Sequence, residues 1–220
     1  MVTNRPRICA VIVNKDLKAI SKIEELVDLF EVRIDLIGNG WQELARQLKK
    51  PWIACNRSAD EGGKWRGNEA ERIEELIEAI ELGADIIDIE HRTRNLTETI
   101  RLIKKKAECL LSLHKLNGTP PLDSLKEIIH QQIDAGADVC KVVTTAQSLE
   151  DNLTILQLIC DFPETRIVSL AMGNLGVISR ILCPLVGGDF TYASIDKGME
   201  SASGQITVRE LKKLYEMVAR

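Results

Sequence analysis

Lys141 occupies the middle of an apolar run, Val139-Cys140-Lys141-Val142-Val143, entered from Gly136-Ala137-Asp138. That pattern reads as a buried parallel strand leaving a tight turn. An ammonium taken out of water costs several kcal/mol unless it is paired, or its pKa falls and it sheds its proton. An uncharged, enclosed amine is a nucleophile suited to Schiff-base chemistry with a ketone. The competing reading is a lysine that snorkels from a strand end or pairs with a core carboxylate.

Other polar residues gather where strands are expected to end. Glu31, Arg33 and Asp35 alternate and so share one strand face, where a purely structural sheet would carry Val, Ile or Leu. Cys55-Asn56-Arg57 runs into a loop holding Glu61-Gly62-Gly63, Asp88 and Glu90 share a face, and His114 closes another strand. Arg180 follows Met172-Gly173-Asn174-Leu175-Gly176, and Ser201-Ala202-Ser203-Gly204-Gln205 forms a small-residue loop able to fold over a site. Each residue alone reads more simply as a surface ion pair or a solvated side chain. Placed on one rim, they describe a polar pocket for an anionic substrate. In such a pocket Lys141 would form an iminium and His114, near its ordinary pKa, would move a proton. Glu61 could orient that imidazole, and the Arg180 fork suits a carboxylate.

The elements that must hold these residues alternate along the whole chain. Strands are expected at Ile8–Val13, Glu31–Leu36, Trp52–Asn56, Ile86–Glu90, Cys109–His114, Val139–Val143, Ile167–Ala171 and Phe190–Ser194. Helices are expected near Leu17–Phe30, Trp41–Lys49, Glu69–Leu82, Leu96–Lys106, Leu122–Ala135, Ser148–Cys160, Gly176–Leu182 and Ile206–Ala219. Leu82-Gly-Ala-Asp-Ile-Ile-Asp-Ile and Ala135-Gly-Ala-Asp-Val-Cys-Lys-Val repeat one helix-exit and strand-entry string, echoed more loosely by Gly187-Gly188-Asp189. Recurring βα units of this kind mean parallel strands with helical crossovers. About eight of them in 220 residues point to a (β/α)₈ TIM barrel, a single α/β domain spanning residues 1–220. A doubly wound open sheet is the alternative, but Asn14-Lys15-Asp16 after the first strand lacks the glycine-rich phosphate fingerprint.

Composition narrows the function classes. A net charge of −4 argues against nucleic acid or an anionic membrane surface as partner, and no apolar run is long enough to span a bilayer. Residues Met1 to Ile8 are polar and lack a secretory h-region. Six cysteines are scattered singly and three histidines lack ligand spacing, which reads as reduced thiols in a cytoplasmic protein without a metal site.

Taken together, Glu31-x-Arg33-x-Asp35, Arg57-x-x-x-Glu61-Gly62-Gly63, Ser112-x-His114, Lys141, Gly176-Val177-Ile178-Ser179-Arg180 and Ser201-Ala202-x-Gly204-Gln205 resemble the type I 3-dehydroquinate dehydratases. This is the Schiff-base class of the shikimate pathway. The resemblance implies Lys141 as the Schiff-base lysine, His114 as general acid/base and Glu61 as its partner. It implies Glu31, Arg33 and Arg57 against the substrate hydroxyls, Arg180 on the carboxylate, and Ser201 and Gln205 as lid contacts. The implied reaction turns 3-dehydroquinate into 3-dehydroshikimate with no cofactor and no metal, in a family with a small-molecule substrate whose members are often homodimers. The rival functions are another lysine-dependent aldolase-type barrel and a non-catalytic carboxylate-binding barrel. Two positions depart from the pattern: Ser203 replaces the usual lid proline, and Asn117 stands where some relatives carry a second histidine.

Overall fold

The computed structural model describes residues 5–218. Residues 1–4, which begin the polar N-terminal stretch, and Ala219, the expected end of the last helix, lie outside it. Eight strands run β1 Ile8–Ile12, β2 Leu29–Arg33, β3 Trp52–Cys55, β4 Ile86–Glu90, β5 Glu108–Lys115, β6 Val139–Thr145, β7 Ile167–Met172 and β8 Thr191–Ser194. Every pairing is parallel, in the order β7-β6-β5-β4-β3-β2-β1-β8. Consecutive strands from β1 to β7 are neighbours and β8 returns to pair with β1, as in a (β/α)₈ barrel and unlike a doubly wound sheet. The barrel is nearly closed. No ladder joins β7 to β8 among the described residues, and the seam is crossed by the Asp189 N–H donating to Ile167 O at 2.8 Å.

The helices are α1 Leu17–Ser21, α2 Ile34–Ile37, α3 Trp41–Ala45, α4 Glu69–Glu81, α5 Leu96–Ile103, α6 Leu122–Asp134, α7 Glu150–Asp161, α8 Val177–Leu182 and α9 Val208–Val218. Gly83 and Gly136 end α4 and α6 with φ of +95° at each, the left-handed exit that glycine takes without strain. The main correction lies between β1 and β3. The single helix expected over Leu17–Phe30 is α1, then a 3-10 turn at Glu24–Leu26, then strand from Leu29. Ile20, Ile23 and Val27 keep helical spacing because all three face the core, while the backbone between them breaks. The second strand, expected over Glu31–Leu36, instead ends at Arg33 and turns into α2.

The Gly-Ala-Asp echo has a structural cause. Asp85 donates its N–H to Trp52 O (3.0 Å) and accepts the Trp52 N–H on Oδ2 (2.9 Å). Asp138 makes the same two bonds to Cys109, and Asp28 makes them to Ile8. An aspartate at the foot of an even-numbered strand thus clasps the foot of the strand before it. At the β7/β8 seam Asp189 keeps the backbone bond and turns its carboxylate to Arg7 and Arg166.

Alternation along the strands builds the interior in tiers. Leu29, Ile53, Ile86, Leu110 and Val139 belong to one buried apolar cluster that floors the barrel. Two residues further up the same strands stand Glu31, Cys55, Asp88, Ser112 and Lys141, all buried. Two further again come Arg33, Arg57, Glu90, His114 and Val143. The parallel register that sets Lys141 beside Ser112, and Ser112 beside Glu90, fixes this stacking. Apolar floor and charged upper tiers follow from the same period of two.

Candidate active site

All nine residues singled out from the sequence, Glu31, Arg33, Arg57, Glu61, His114, Lys141, Arg180, Ser201 and Gln205, line one cavity of about 250 Å³ at the C-terminal end of the barrel. Lys141 is only 4% exposed. Its Nζ donates to Asp88 Oδ2 at 2.8 Å and to the Tyr192 hydroxyl at 3.0 Å, and lies 3.5 Å from Glu31 Oε1. Burial works against the charge, but Asp88 and Glu31 outweigh it and hold the ammonium pKa above its ordinary value. Of the two sequence readings, an amine that sheds its proton and a lysine paired with a core carboxylate, the geometry has the pairing. Lys141 is enclosed, and its two carboxylate partners favour the ammonium.

Asp88 is the hub of the middle tier. Besides Lys141 it receives the Ser112 hydroxyl on Oδ1 at 2.6 Å and Arg57 Nη2 on Oδ2 at 2.7 Å. Burial opposes ionisation, yet Arg57 and Lys141 drive its pKa far below the usual carboxylate range. Arg57 also reaches Ser112 Oγ at 2.7 Å and Glu90 Oε1 at 3.1 Å, and Glu90 in turn meets the buried Arg72 of α4. Such a chain of alternating charges is tolerable in a low-dielectric interior only because every member has a partner. Glu31, Cys55 and Asp88 also bring donor atoms within 4.8 Å of one another. Those carboxylates face Lys141 and Arg57, and burial raises the Cys55 thiol pKa well above normal, so the donor set already has its cations.

The loop after β3 carries Glu61 to the fifth strand. A 3-10 turn at Ala59–Glu61 ends at Gly62, and Gly63 then packs so tightly that a Cβ would sit 2.0 Å from Arg57 O. Glycine there is a steric requirement. Glu61 Oε2 accepts the His114 backbone N–H at 2.9 Å and lies 2.8 Å from Nδ1. Burial raises the Glu61 pKa to about 7, while burial together with Arg57 and Lys141 holds the imidazole pKa well below 6.5. His114 is thus neutral at neutral pH. With Glu61 ionised, Nδ1–H donates to the carboxylate and the Nε2 lone pair is free.

Arg33 forms a two-bond fork with Asp35, both bonds at 2.8 Å. The pair survives the end of the strand because Asp35 lies in the first turn of α2. Arg180 is different. It is 2% exposed, has no carboxylate partner among the described residues, leaves Nε unbonded, and spends one Nη2 bond on Ser203 O at 3.3 Å. Burial alone lowers its pKa to about 10. A buried guanidinium in a cavity, without a carboxylate to compensate it, has the charge and the free donors to take an anion.

The loop at residues 201–205 closes over this end. Gln205 Oε1 accepts the Ser201 N–H at 2.8 Å, and the Ser203 carbonyl also receives the Gly173 N–H at 3.1 Å. Gly204, at φ +76° and with Gly173 O 2.3 Å from where a Cβ would be, permits that contact. Ser203 thus docks the loop through its backbone carbonyl rather than its side chain. Asn117 does not line the cavity.

Two residues against Lys141 were not assigned a role from the sequence. Asp88 was visible only as one of several strand carboxylates. Tyr192 was not singled out, although it alternates with Phe190 and Ser194 on the last strand.

The family model described as type I 3-dehydroquinase matches residues 8–220. A 3-dehydroquinate dehydratase of Dehalococcoides mccartyi is 43% identical over 213 residues, covering 97% of this chain and 96% of that protein. One from Methanosarcina mazei is 36% identical over 228 residues, covering 96% and 94%. The 3-dehydroquinate dehydratase structure from Geobacillus kaustophilus superposes with a TM-score of 0.84 at 28% identity, covering 98% of this chain and 93% of that one. The Clostridium difficile type I enzyme carrying covalently modified comenic acid, at 24% identity, shares the fold with a TM-score of 0.87 over 99% and 94% of the two chains. With a barrel, a cavity and relatives that agree over nearly its full length, the chain belongs to the type I 3-dehydroquinase family.

Proposed function

We propose that this protein is a hydro-lyase that dehydrates 3-dehydroquinate to 3-dehydroshikimate through a Schiff base on Lys141, with His114 as general acid/base. The observation that carries the reading is one cavity holding an enclosed lysine, a neutral imidazole backed by a carboxylate, and the unpaired guanidinium of Arg180. The substrate offers the matching groups: a ketone, an acidic carbon beside it, a hydroxyl one carbon further, and a carboxylate.

The steps follow from these side chains. Nζ gives up a proton and attacks the ketone, and the carbonyl oxygen collects two N–H protons and leaves as water, giving an iminium. The cationic C=N draws electrons from the adjacent C–H, and Nε2 of His114 removes that proton to give an enamine. The enamine expels the β-hydroxyl as the protonated imidazole returns the proton, so this second water leaves without a hydroxide ion forming. Hydrolysis of the conjugated iminium then frees the product and Lys141. Asp88 remains beside nitrogen throughout, stabilising the positive charge that persists from ammonium to iminium. Glu61 orients the imidazole and steadies its charge once it has taken the proton, Glu31, Arg33 and Arg57 meet ring hydroxyls, and Ser201 and Gln205 seal the entrance.

No step requires a metal. Purified protein should therefore convert 3-dehydroquinate to the conjugated enone, followed by ultraviolet absorbance, at the same rate after exhaustive chelation. Loss of turnover on chelation would contradict this mechanism. Arg180→Ala should raise KM about ten- to a hundredfold, the scale of one charge-assisted hydrogen-bond pair. An unaltered KM would move the carboxylate site elsewhere.

A further inference from the structure

Condensation of an ammonium with a ketone balances as R–NH₃⁺ plus O=C giving R–NH⁺=C plus H₂O. Of three N–H hydrogens, one stays on the iminium and two must travel to the departing oxygen. In the free protein those hydrogens face Asp88 Oδ2 at 2.8 Å, Glu31 Oε1 at 3.5 Å and the Tyr192 hydroxyl at 3.0 Å. Asp88 is tied to Arg57 and Ser112 and is a very weak base, which suits it to hold the hydrogen that remains. Tyr192 differs in kind. It is a buried phenol from β8 that lines the cavity, with Nζ 4.3 Å from its ring centroid. A hydroxyl can accept one proton while giving up another, which a carboxylate held as an anion by two cations does not do.

Resting on the Schiff-base reading of the site, we infer that Tyr192 is a further catalytic residue, relaying a proton between Lys141 Nζ and the ketone oxygen. Tyr192 takes one N–H proton from the ammonium and passes its own to the ketone oxygen, returning to the neutral phenol as the freed Nζ lone pair attacks carbon and the C=O π pair moves to oxygen. A second turn of the same relay moves a further N–H proton to the carbinolamine hydroxyl, and the C–O bond then breaks to release water as the nitrogen lone pair forms C=N. Hydrolysis runs the same relay backwards. The elimination between these steps belongs to His114 and does not involve Tyr192.

Tyr192→Phe keeps the ring under Nζ and deletes one oxygen, so the fold should be retained, checked by an unchanged circular dichroism spectrum. Borohydride quenching at timed intervals after mixing with 3-dehydroquinate measures how fast the covalent adduct appears. The variant should form it about a hundredfold more slowly than the natural protein, the usual scale of proton-transfer help. Its KM should change little, and proton loss from the preformed adduct, read by deuterium at the carbon beside the ketone, should keep its rate. If the natural protein forms adduct and Tyr192→Phe forms it equally fast, Tyr192 is no relay and the Schiff-base reading stands. If the natural protein forms no adduct, both fall.

Discussion

Replacing Lys141 with alanine is expected to abolish turnover, a loss on the order of a millionfold, the scale seen when a covalent nucleophile is removed from a working constellation. No neighbouring group can substitute. Arg57 is a guanidinium already tied to Asp88 and Glu90, and among the described residues no second lysine lines the cavity. The fold should tolerate the change poorly rather than fail. Asp88 loses one of its two cations but keeps Arg57 and the Ser112 hydroxyl. Steady-state kinetics with a folded, monodisperse variant checks this, and residual activity within about a hundredfold of the natural protein would show that the chemistry runs without a covalent intermediate.

His114→Ala is the second large effect. Imine formation should persist while elimination slows by at least about a hundredfold. The pH profile adds a sharper signature. The free enzyme needs a neutral imidazole with its lone pair on Nε2, which requires Glu61 to be ionised and to accept from Nδ1. Glu61 has its pKa raised to about 7 by burial, so kcat/KM should fall as pH drops through about 7, when Glu61 gains a proton and turns donor towards Nδ1. The imidazole itself stays neutral to well below pH 6.5 because burial, Arg57 and Lys141 all disfavour its charge. The acid limb therefore reports the buried pair through Glu61 rather than through histidine. Glu61→Gln should remove that limb and lower the plateau. A limb that survives in Glu61→Gln would assign it to another group.

Much of this was legible in the sequence because barrel chemistry depends on alternation. The spacing of Glu31 and Arg33, of Asp88 and Glu90, and of Ser112 and His114 placed charged side chains on inward faces without any knowledge of contacts. The Gly-Ala-Asp repeat likewise marked strand entry before its clasp was visible. Three features escaped. A period of two continues through Asp35, but Arg33 and Asp35 can pair equally well across a strand or a single helical turn, so the end of β2 at Arg33 carried no signal. The charge on Lys141 was also out of reach. It depends on Asp88, 53 residues away in sequence, outweighing the desolvation that an apolar strand suggests. Tyr192 was hidden for the opposite reason, since an aromatic residue in an apolar strand reads as core until its hydroxyl is seen against Nζ.

The central claim is a covalent bond between the substrate ketone and one enclosed nitrogen. Borohydride reduction of the protein during turnover of 3-dehydroquinate, followed by peptide mass spectrometry, tests it most directly. The expected result is a single stable adduct on the peptide bearing Lys141, absent from Lys141→Ala. Undiminished turnover with no adduct, or an adduct on any other lysine, would contradict it.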